Sequence, residues 1–379
     1  MKHRLVFSSL PFLALFLVLV PTALASSTWY VAGVNGSDNN NCESAQTACK
    51  TIGHAIKRAA SGDVIIVAAA TYTESLTIKF NLSIVGSRAQ TAIIDGGASN
   101  TVVTILGVQT HVGLANLTIR NGKALIGGGI NNAGILSVTN SIVSGNHVTG
   151  YRSAGGGGVY NAGRLRISGS TISGNSARSG LRANGGGIAN QGTLYLVNST
   201  VFGNYAVGGL LGSTADGGGV SNSGNLTVSS TTFAGNTAEF YCLGNPSRSC
   251  IGRGGGVYTA GLQAVIQNSI IVNYNPFGDN CYGNLTSLGY NLSSDNSCNF
   301  NGTGDRQDTD PMLGPLQNNG GPTQTMALSP GSPAIDAGNP SGCTDGNGHL
   351  LKTDQRGMPR PDKEDSGGCD MGAYERQSD

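Results

Sequence analysis

Acidic side chains are scarce in the glycine-rich middle of this 379-residue chain. Between residues 127 and 273 the only carboxylates are Asp216 and Glu239. Glycosidic hydrolysis needs a positioned carboxylate pair, and a calcium site needs several oxygen ligands. Both acids lie in variable inserts, where a catalytic pair would be poorly held. We therefore expect no catalysis, no metal and no cofactor.

Tyrosine and arginine side chains are the better candidates for chemistry in the same inserts. Tyrosine suits stacking on sugar rings, and arginine suits contacts with acidic groups. These residue types predict a weak binding face for a glycan or another surface ligand, with a passive structural protein as the alternative. The predicted binding residues are Tyr151, Arg152, Arg178, Arg182 and Tyr205.

A polysaccharide lyase or glycoside hydrolase acting on acidic glycans is the catalytic alternative. Its candidate residues share the insert side of the repeats: Asp216, Glu239, Arg152, Arg182 and Tyr205. A different site is suggested by "DGNGH" (345–349), which resembles half of a calcium loop. It lacks the following glycine and the distal glutamate, so we expect a turn there.

Composition narrows the class of protein. The net charge is +1 and 11% of residues are charged, which argues against a nucleic-acid partner. The segment 1–25 has a short basic start, an apolar stretch and an Ala-Leu-Ala site, the pattern of a secretory signal peptide. No second apolar run of about 20 residues follows, so no membrane span is expected after its removal.

The eight cysteines fit an exported protein in an oxidising compartment. Eight cysteines allow 105 connectivities, and the simplest one joins sequence neighbours. That arrangement gives Cys42–Cys49, Cys242–Cys250, Cys281–Cys298 and Cys343–Cys369.

Five similar blocks of 20 residues must position all of these side chains. They begin at Gly127, Gly156, Gly185, Gly217 and Gly254, and the inserts between them have 9, 9, 12 and 17 residues. A fixed block with a variable insert at one place is typical of a solenoid with loops on one side.

The aligned columns predict a coil of three short strands. One apolar column contains Leu136, Leu165, Leu194 and Leu226, and its fifth member is Gln263. The Leu-x-Val alternation has the period of a strand, and like residues would stack about 4.8 Å apart. A polar column of Asn132, Asn161, Asn190, Asn222 and Thr259 predicts ladders of amides, and left-handed backbone at the asparagine corners.

The two ends of the coil stack need covers. Residues 51–60, "TIGHAIKRAA", have apolar residues at helical spacing, which predicts a short helix over the first coil. Residues 306–379 carry eleven acids against six bases, whereas residues 127–273 carry seven arginines against two acids. This charge difference favours packing of the C-terminal segment near the basic coils, closing the open end.

Four stretches and the repeated blocks resemble known families. "CKTIGHAIKRAASGDVIIVAAATYTESLTI" (49–78) is similar to the start of right-handed parallel β-helix proteins of the pectate-lyase-like superfamily, and the blocks resemble their coils. "DPMLGPLQNNGGPTQTMALSPGSPAIDAG" (310–338), "DQRGMPRP" (354–361) and "CDMGAYE" (369–375) resemble the C-terminal signature of choice-of-anchor Q domain proteins of bacteria.

The resemblance implies an all-β, right-handed parallel β-helix with a helical N-terminal cap and an irregular C-terminal cap. The expected division is a signal peptide at 1–25, the β-helix at 26–305 with repeats at 127–273, and a choice-of-anchor Q-type segment at 306–379. No LPxTG motif or apolar tail follows Glu375, so we expect free secretion rather than anchoring. Extracellular polysaccharides or cell-surface components are the expected partners, and a monomer is the expected state.

Overall fold

The computed structural model describes residues 26–209, 213–240, 252–261, 263–273, 279–362 and 368–377. The predicted signal peptide and the predicted Cys242–Cys250 bond lie outside these residues. The other three predicted disulfides, Cys42–Cys49, Cys281–Cys298 and Cys343–Cys369, are confirmed. In the described part of the chain, no helix has the length and apolar character to cross a membrane.

Three long parallel sheets form the body of the molecule. Sheet 1 has ten strands: β1 (Thr28–Val31), β2 (Asp63–Val67), β5 (Leu82–Gly86), β8 (His111–Ala115), β12 (Ile135–Thr139), β17 (Arg164–Ser168), β22 (Thr193–Val197), β27 (Asn225–Ser229), β31 (Gln263–Gln267) and β34 (Thr286–Ser287). Sheet 2 has eight: β4 (Leu76–Ile78), β7 (Val103–Ile105), β11 (Ile130–Asn132), β16 (Val159–Asn161), β21 (Ile188–Asn190), β26 (Val220–Asn222), β30 (Val257–Thr259) and β33 (Cys281–Gly283).

Sheet 3 has nine strands: β3 (Ala70–Thr73), β6 (Ala92–Asp95), β9 (Thr118–Arg120), β13 (Ile142–Ser144), β18 (Thr171–Ser173), β23 (Thr200–Phe202), β28 (Thr232–Ala234), β32 (Ile270–Val272) and β35 (Leu292–Ser293). In the repeats, each winding of the chain adds one strand to sheets 2, 1 and 3 in turn, and neighbouring windings pair in parallel. The predicted right-handed parallel β-helix is confirmed.

The inserts between the blocks are strands, which corrects the expectation of loops. Sheet 4 contains β10 (Lys123–Ala124), β14 (His147–Gly150), β19 (Ser176–Ser179), β24 (Tyr205–Gly208) and β29 (Thr237–Phe240). Sheet 5 contains β15 (Ser153–Gly155), β20 (Arg182–Asn184) and β25 (Thr214–Asp216). The inserts stack because each contributes small apolar residues to buried clusters, among them Ala154, Ala177, Ala183, Ala206 and Ala215.

Apolar columns fill the interior as the repeats predict, with one correction in the last block. Leu136, Leu165, Leu194 and Leu226 pair in register and are at most 2% exposed. Leu226 then pairs with Ala264 rather than with Gln263. The fifth block has one extra residue between β30 and β31, so the alignment without a gap placed Gln263 one position too early.

Two rows of asparagine amides run through the coil interior. In the first row, the Nδ2 atom of Asn132 donates to Oδ1 of Asn161 over 2.7 Å, and Asn161 donates to Asn190 over 2.7 Å. The row continues through Asn222, which donates to the hydroxyl of Thr259. The predicted ladder is confirmed.

The second row lies at the ends of the blocks and is equally continuous. The side-chain amides of Asn146, Asn175 and Asn204 each donate to the next asparagine, and the backbone N–H of Asn236 donates to Oδ1 of Asn273. The expectation of left-handed backbone at the row asparagines is wrong. Positive φ occurs instead at the preceding glycines, Gly145, Gly174, Gly203 and Gly235, which frees the asparagine side chains to point inward.

The N-terminal end is closed by α1 (Ile52–Arg58). The hydroxyl of Thr51 accepts from the N–H of His54, which caps the helix start. Ile52, Ala55 and Ile56 are buried and join the main core cluster. The predicted capping helix is confirmed.

The C-terminal segment, defined as residues 306–377, begins on the last coil and then runs back along the side of the stack. Arg306 bridges Leu292, and an antiparallel hairpin follows, formed by β36 (Leu313–Gln317) and β37 (Thr325–Leu328). The apolar cover of the last coil comes from Phe300 and the Cys281–Cys298 bond. Most of the segment therefore covers a flank, which corrects the expectation that it closes the open end.

Hydrogen bonds and one cluster of apolar side chains attach this segment to the flank. The buried side chain of Gln355 accepts from the hydroxyl of Thr200 over 2.7 Å and donates to that of Thr171 over 3.0 Å. Met326, Leu328 and Met371 pack in one cluster with outward residues of sheet 3. The ion pair between Arg166 and Asp345 connects the basic coils to the acidic segment, as the charges predict.

A buried ionic network connects distant parts of the segment. Nε of Arg360 lies 2.7 Å from Glu375, and both side chains are 0% exposed. Asp370 accepts from two backbone N–H groups, those of Asp336 and Arg376. Burial raises the pKa of Asp370 to about 6 and that of Glu375 to about 7, although hydrogen bonds and Arg360 oppose the shift.

Replacing one row asparagine tests the ladders. Asn175→Ala removes the amide that bonds to Asn146 in the preceding coil and to Asn204 in the following coil. Both partners would be left buried and unpaired, so we expect the free energy of unfolding to fall by about 3 kcal/mol. Asn225→Ala, on an exposed position of sheet 1, is the matched control and should change it by less than about 0.5 kcal/mol. Equilibrium urea unfolding measures both, and equal losses would contradict the ladder's role.

The buried carboxyls predict an unusual pH dependence. Because their folded-state pKa values are raised, the folded segment binds protons more readily than an opened one, so its closed state gains stability as pH falls from 7.5 to 5.5. Hydrogen exchange of residues 368–377, corrected for the intrinsic rate, should show protection at least about tenfold higher at pH 5.5. Lower protection at pH 5.5 would refute the assignment.

Candidate functional site

A cleft of about 420 Å³ lies between the outer face of sheet 2 and sheet 5. Its floor comes from the outward position of the sheet-2 strands, and its wall comes from the stacked inserts. We call this space the cleft. Its polar lining includes Tyr160, Arg182, Asp216, Arg253 and Tyr258.

Register sets the shape of the cleft floor. Tyr160, Ala189, Ser221 and Tyr258 occupy the same position on β16, β21, β26 and β30. The two tyrosines are therefore separated by three strand spacings, about 14 Å. The small residues Ala189 and Ser221 lie between the rings of Tyr160 and Tyr258 and leave a shallow trough. A shallow trough suits a flat, ring-shaped ligand better than a deep cavity does.

One end of the trough is held by an ion pair. Nε and Nη2 of Arg253 donate to the two oxygens of Asp216 over 2.7 and 2.9 Å. Asp216 is 6% exposed, and β25 ends at this residue. The hydrogen bond to Asp216 raises the pKa of Arg253, and the two hydrogen bonds hold the guanidinium in place.

Aromatic rings extend this end of the site. The rings of Tyr258 and Tyr282 stack with centroids 5.7 Å apart. The guanidinium of Arg253 lies 5.0 Å from the Tyr258 ring and 5.2 Å from the Tyr282 ring. The arrangement presents a rigid aromatic surface, and Tyr282 is 44% exposed. Burial raises the pKa of Tyr258, with Asp216 adding to the rise.

Arg182 supplies a further positive charge on the sheet-5 wall of the cleft. It begins β20 and is exposed, and no ion pair is recorded for it within the described residues. Since Arg253 is neutralised by Asp216, Arg182 leaves the cleft with a net charge of +1. At the other end, the hydroxyl of Tyr160 donates to Oε1 of Gln191 over 2.6 Å, which fixes the ring.

The five predicted binding residues are placed at several positions. Arg182 lines the cleft. Tyr151 and Arg178 share a separate groove of about 250 Å³ on the sheet-4 side. Tyr205 begins β24 and is 45% exposed, and Arg152 is exposed in the turn between β14 and β15. Arg182 is therefore the predicted residue that joins the cleft.

The candidate acids fall on different sheets. Asp216 faces the cleft at the end of β25, whereas Glu239 lies on β29 of sheet 4, in the column of Val207. Within the described residues, the one group of three possible metal ligands is Cys42, Cys49 and His54, and its cysteines form a disulfide. In "DGNGH", Oδ1 of Asp345 accepts from two backbone N–H groups, which makes the predicted turn.

Sequence reasoning missed Tyr160, Tyr258, Tyr282 and Arg253 as members of one site. The signal for the first two was the motif GGGVY, which occurs at 156–160 and again at 254–258. Following the column one residue beyond the buried valine would have placed both tyrosines on one face. Tyr282 and Arg253 lie outside the aligned blocks and carried no comparable signal.

Comparisons with known proteins find similar solved structures but no matching family. No protein-family model matches the chain, and no curated protein matches it. Among solved structures, it is similar to pectate lyase Pel9A at 17% identity and a TM-score of 0.39, covering 93% of this chain and 98% of that one. The choice-of-anchor Q resemblance and the domain boundaries stay predictions.

Two further solved structures are similar at lower scores. Pectin methylesterase PemA from Erwinia chrysanthemi matches at 15% identity and a TM-score of 0.34, covering 81% of this chain and 86% of that one. The PL6 family alginate lyase AlyGC matches at 13% identity and 0.25, covering 73% and 54%. These likenesses assign no activity, and the class of the protein, a parallel β-helix with an aromatic cleft, rests on the strand pairing described above.

The Asp216–Arg253 pair should behave as a structural unit. Asp216→Ala leaves a half-buried cation without its partner, so we expect the free energy of unfolding to fall by about 2 kcal/mol. Adding Arg253→Ala should cost less than the sum of the two single losses. Arg182→Ala, an exposed arginine of the same cleft, is the control. Urea unfolding of the wild type, the two single variants, the double variant and the control measures these losses, and strictly additive losses would contradict the pairing.

Proposed function

We propose that this protein is an extracellular, non-catalytic β-helix that binds an acidic saccharide in the cleft. The observation that carries the proposal is the trough between Tyr160 and Tyr258, with the cation Arg182 on its wall. Aromatic rings supply stacking surfaces for sugar rings, and arginine supplies paired donors for a carboxylate or sulfate.

The geometry supports binding in an extended orientation along the stack. Ala189 and Ser221 keep the floor low between the tyrosines, so a short oligosaccharide would lie across four coils. Asn184 and Gln191 add amide groups to the lining, which can bond to sugar hydroxyls. A largely preformed site loses little conformational entropy on binding.

The carboxyl group of the cleft favours binding over catalysis in this proposal. Glycoside hydrolysis needs two carboxyls facing one substrate, and Asp216 is the carboxyl that lines the cleft within the described residues. Both of its oxygens already accept from Arg253. Asp216 thus orients Arg253 and is poorly placed to act as an acid or a base.

The three disulfides of the described residues support an extracellular location. Cys42–Cys49 lies before α1, and the other two bonds lie after β32. A rigid cross-linked scaffold carrying a preformed cleft fits a protein that meets polysaccharides outside the cell.

Titration with hexagalacturonate and with cellohexaose, a neutral hexasaccharide, tests the proposal. Hexagalacturonate should bind more tightly, and Arg182→Gln should weaken it by about tenfold because one charge-assisted contact is lost. Tyr160→Ala should weaken both sugars, whereas Tyr160→Phe, which keeps the ring, should retain most of the affinity. Calorimetry gives the affinities.

Two outcomes would overturn the proposal. Affinity unchanged by both Arg182→Gln and Tyr160→Ala would remove the cleft as the binding site. Release of sugar fragments by the wild-type protein, lost in Asp216→Asn, would replace binding with catalysis on the same acidic glycans.

A further inference from the structure

A second groove, of about 500 Å³, lies on the outer face of sheet 1 and is separate from the cleft. We call it the sheet-1 groove. Its floor consists of small residues in one column, Ser83, Gly113 and Ser137. The next two members of that column are large, Arg166 and Tyr195. The groove therefore ends at a cation and an aromatic ring.

Arg166 is held in place from the C-terminal segment. Its Nη2 atom donates to Oδ2 of Asp345 over 3.2 Å, and Asp345 is 7% exposed. The other oxygen of Asp345 accepts from the backbone N–H groups of Asn347 and His349. A guanidinium has five N–H donors, so most of those on Arg166 stay available to a ligand while its orientation is fixed.

Arg164 adds a second positive charge beside the first. It lies two residues before Arg166 on β17, so both side chains leave the same face about 7 Å apart. Arg164 is exposed, and no ion pair is recorded for it within the described residues. Asp345 offsets the charge of Arg166 and leaves that of Arg164 without a counter-charge of its own in the described part of the chain. The pair of arginines therefore keeps a net positive charge at the groove, which an anionic ligand would offset.

The ring of Tyr195 lies directly next to Arg166 in the following coil. The Tyr195 side chain is half-buried and lines the groove. A cation pair beside an aromatic ring, over a floor of serine and glycine, matches a ligand that carries both an acidic group and a saturated ring. A free inorganic anion would use the arginines and leave the ring without a role.

We propose that the sheet-1 groove is a second site for an acidic saccharide, contacted by Arg164, Arg166 and Tyr195. The cleft and this groove lie on different faces of one rigid coil stack, so one molecule can hold two glycan chains. The bridging part of this inference rests on the proposed function of the cleft, whereas the groove itself does not. Because the two sites are on one protein, their combined avidity for a long saccharide chain exceeds the affinity of either site, with no contact beyond those of the two sites.

Calorimetry with hexagalacturonate counts the sites. The wild-type protein should bind two molecules. Arg164→Gln leaves the Arg166–Asp345 pair intact and should weaken one of the two sites by about tenfold while leaving the other unchanged. Tyr195→Ala should weaken the same site. Arg88→Gln, which removes an exposed positive charge elsewhere, is the matched control and should change neither site.

Turbidity with long polygalacturonate measures bridging. We expect wild-type protein to cross-link the chains into scattering particles, and Arg164→Gln or Arg182→Gln alone to reduce this sharply. Inorganic sulfate is the comparison ligand, and sulfate binding that depends on Arg164 without any saccharide binding there would contradict the saccharide assignment.

The remaining outcomes separate the two proposals. One hexagalacturonate per protein, sensitive to Arg182→Gln and indifferent to Arg164→Gln, would overturn the second site and leave the cleft standing. One molecule sensitive only to Arg164→Gln would keep the groove and overturn the cleft and the bridging. Binding indifferent to both substitutions would overturn both.

Discussion

Burial of asparagine amides inside the coil stack is the constraint on which the rest of the structure depends. Asn132, Asn161, Asn190 and Asn222 are at most 1% exposed. A buried amide without partners costs several times what a formed hydrogen bond contributes. Asn161, Asn190 and Asn222 find partners in the coil before and the coil after, and Asn132 begins the row by donating to Asn161. A slip of one residue would therefore leave amides on neighbouring coils unpaired. The rows thus fix the register as strictly as the apolar columns do.

Register, once fixed, determines the outer surface as well. Outward positions form columns of their own, because side chains alternate across a strand. One column places Tyr160, Ala189, Ser221 and Tyr258 in line and so makes a trough. Another places small residues before Arg166 on sheet 1. The trough floor on sheet 2 and the groove floor on sheet 1 are both made of strand residues, and both are held rigid by hydrogen bonds between coils. The C-terminal segment adds Asp345 and completes the second feature from outside.

The sequence predicted those parts of the fold that repeat. The apolar and asparagine columns were visible because five blocks could be aligned, and the helix over Ile52, Ala55 and Ile56 followed from its spacing. The strands of sheets 4 and 5 were not foreseen, since the inserts differ in length and contain few large apolar residues. Their cores are built from alanine, such as Ala183 and Ala215, which looks unremarkable in a loop. The shift at Gln263 arose from a single extra residue that no local signal marked.

The candidate site was less predictable because its members lie far apart in the chain. Asp216 and Arg253 are 37 residues apart and meet through the stacking of one coil on the next. Composition drew attention to arginine and tyrosine, and Arg182 is the one of the five predicted residues that lines the cleft. Pairing across coils is a tertiary property, and it becomes visible from sequence only when both partners occupy aligned positions, as Tyr160 and Tyr258 do.

A double-mutant cycle on the first asparagine row tests the central claim most directly. Substitution of Asn161 and Asn190 by alanine, singly and together, should reveal a coupling energy of about 1 kcal/mol or more in urea unfolding, since their amides are in contact. The same cycle on Asn132 and Asn222, about 14 Å apart across three coils, should give a coupling within about 0.5 kcal/mol of zero. Equal coupling for the two pairs, or none for the adjacent one, would contradict the claim that neighbouring coils are held in register by these amides.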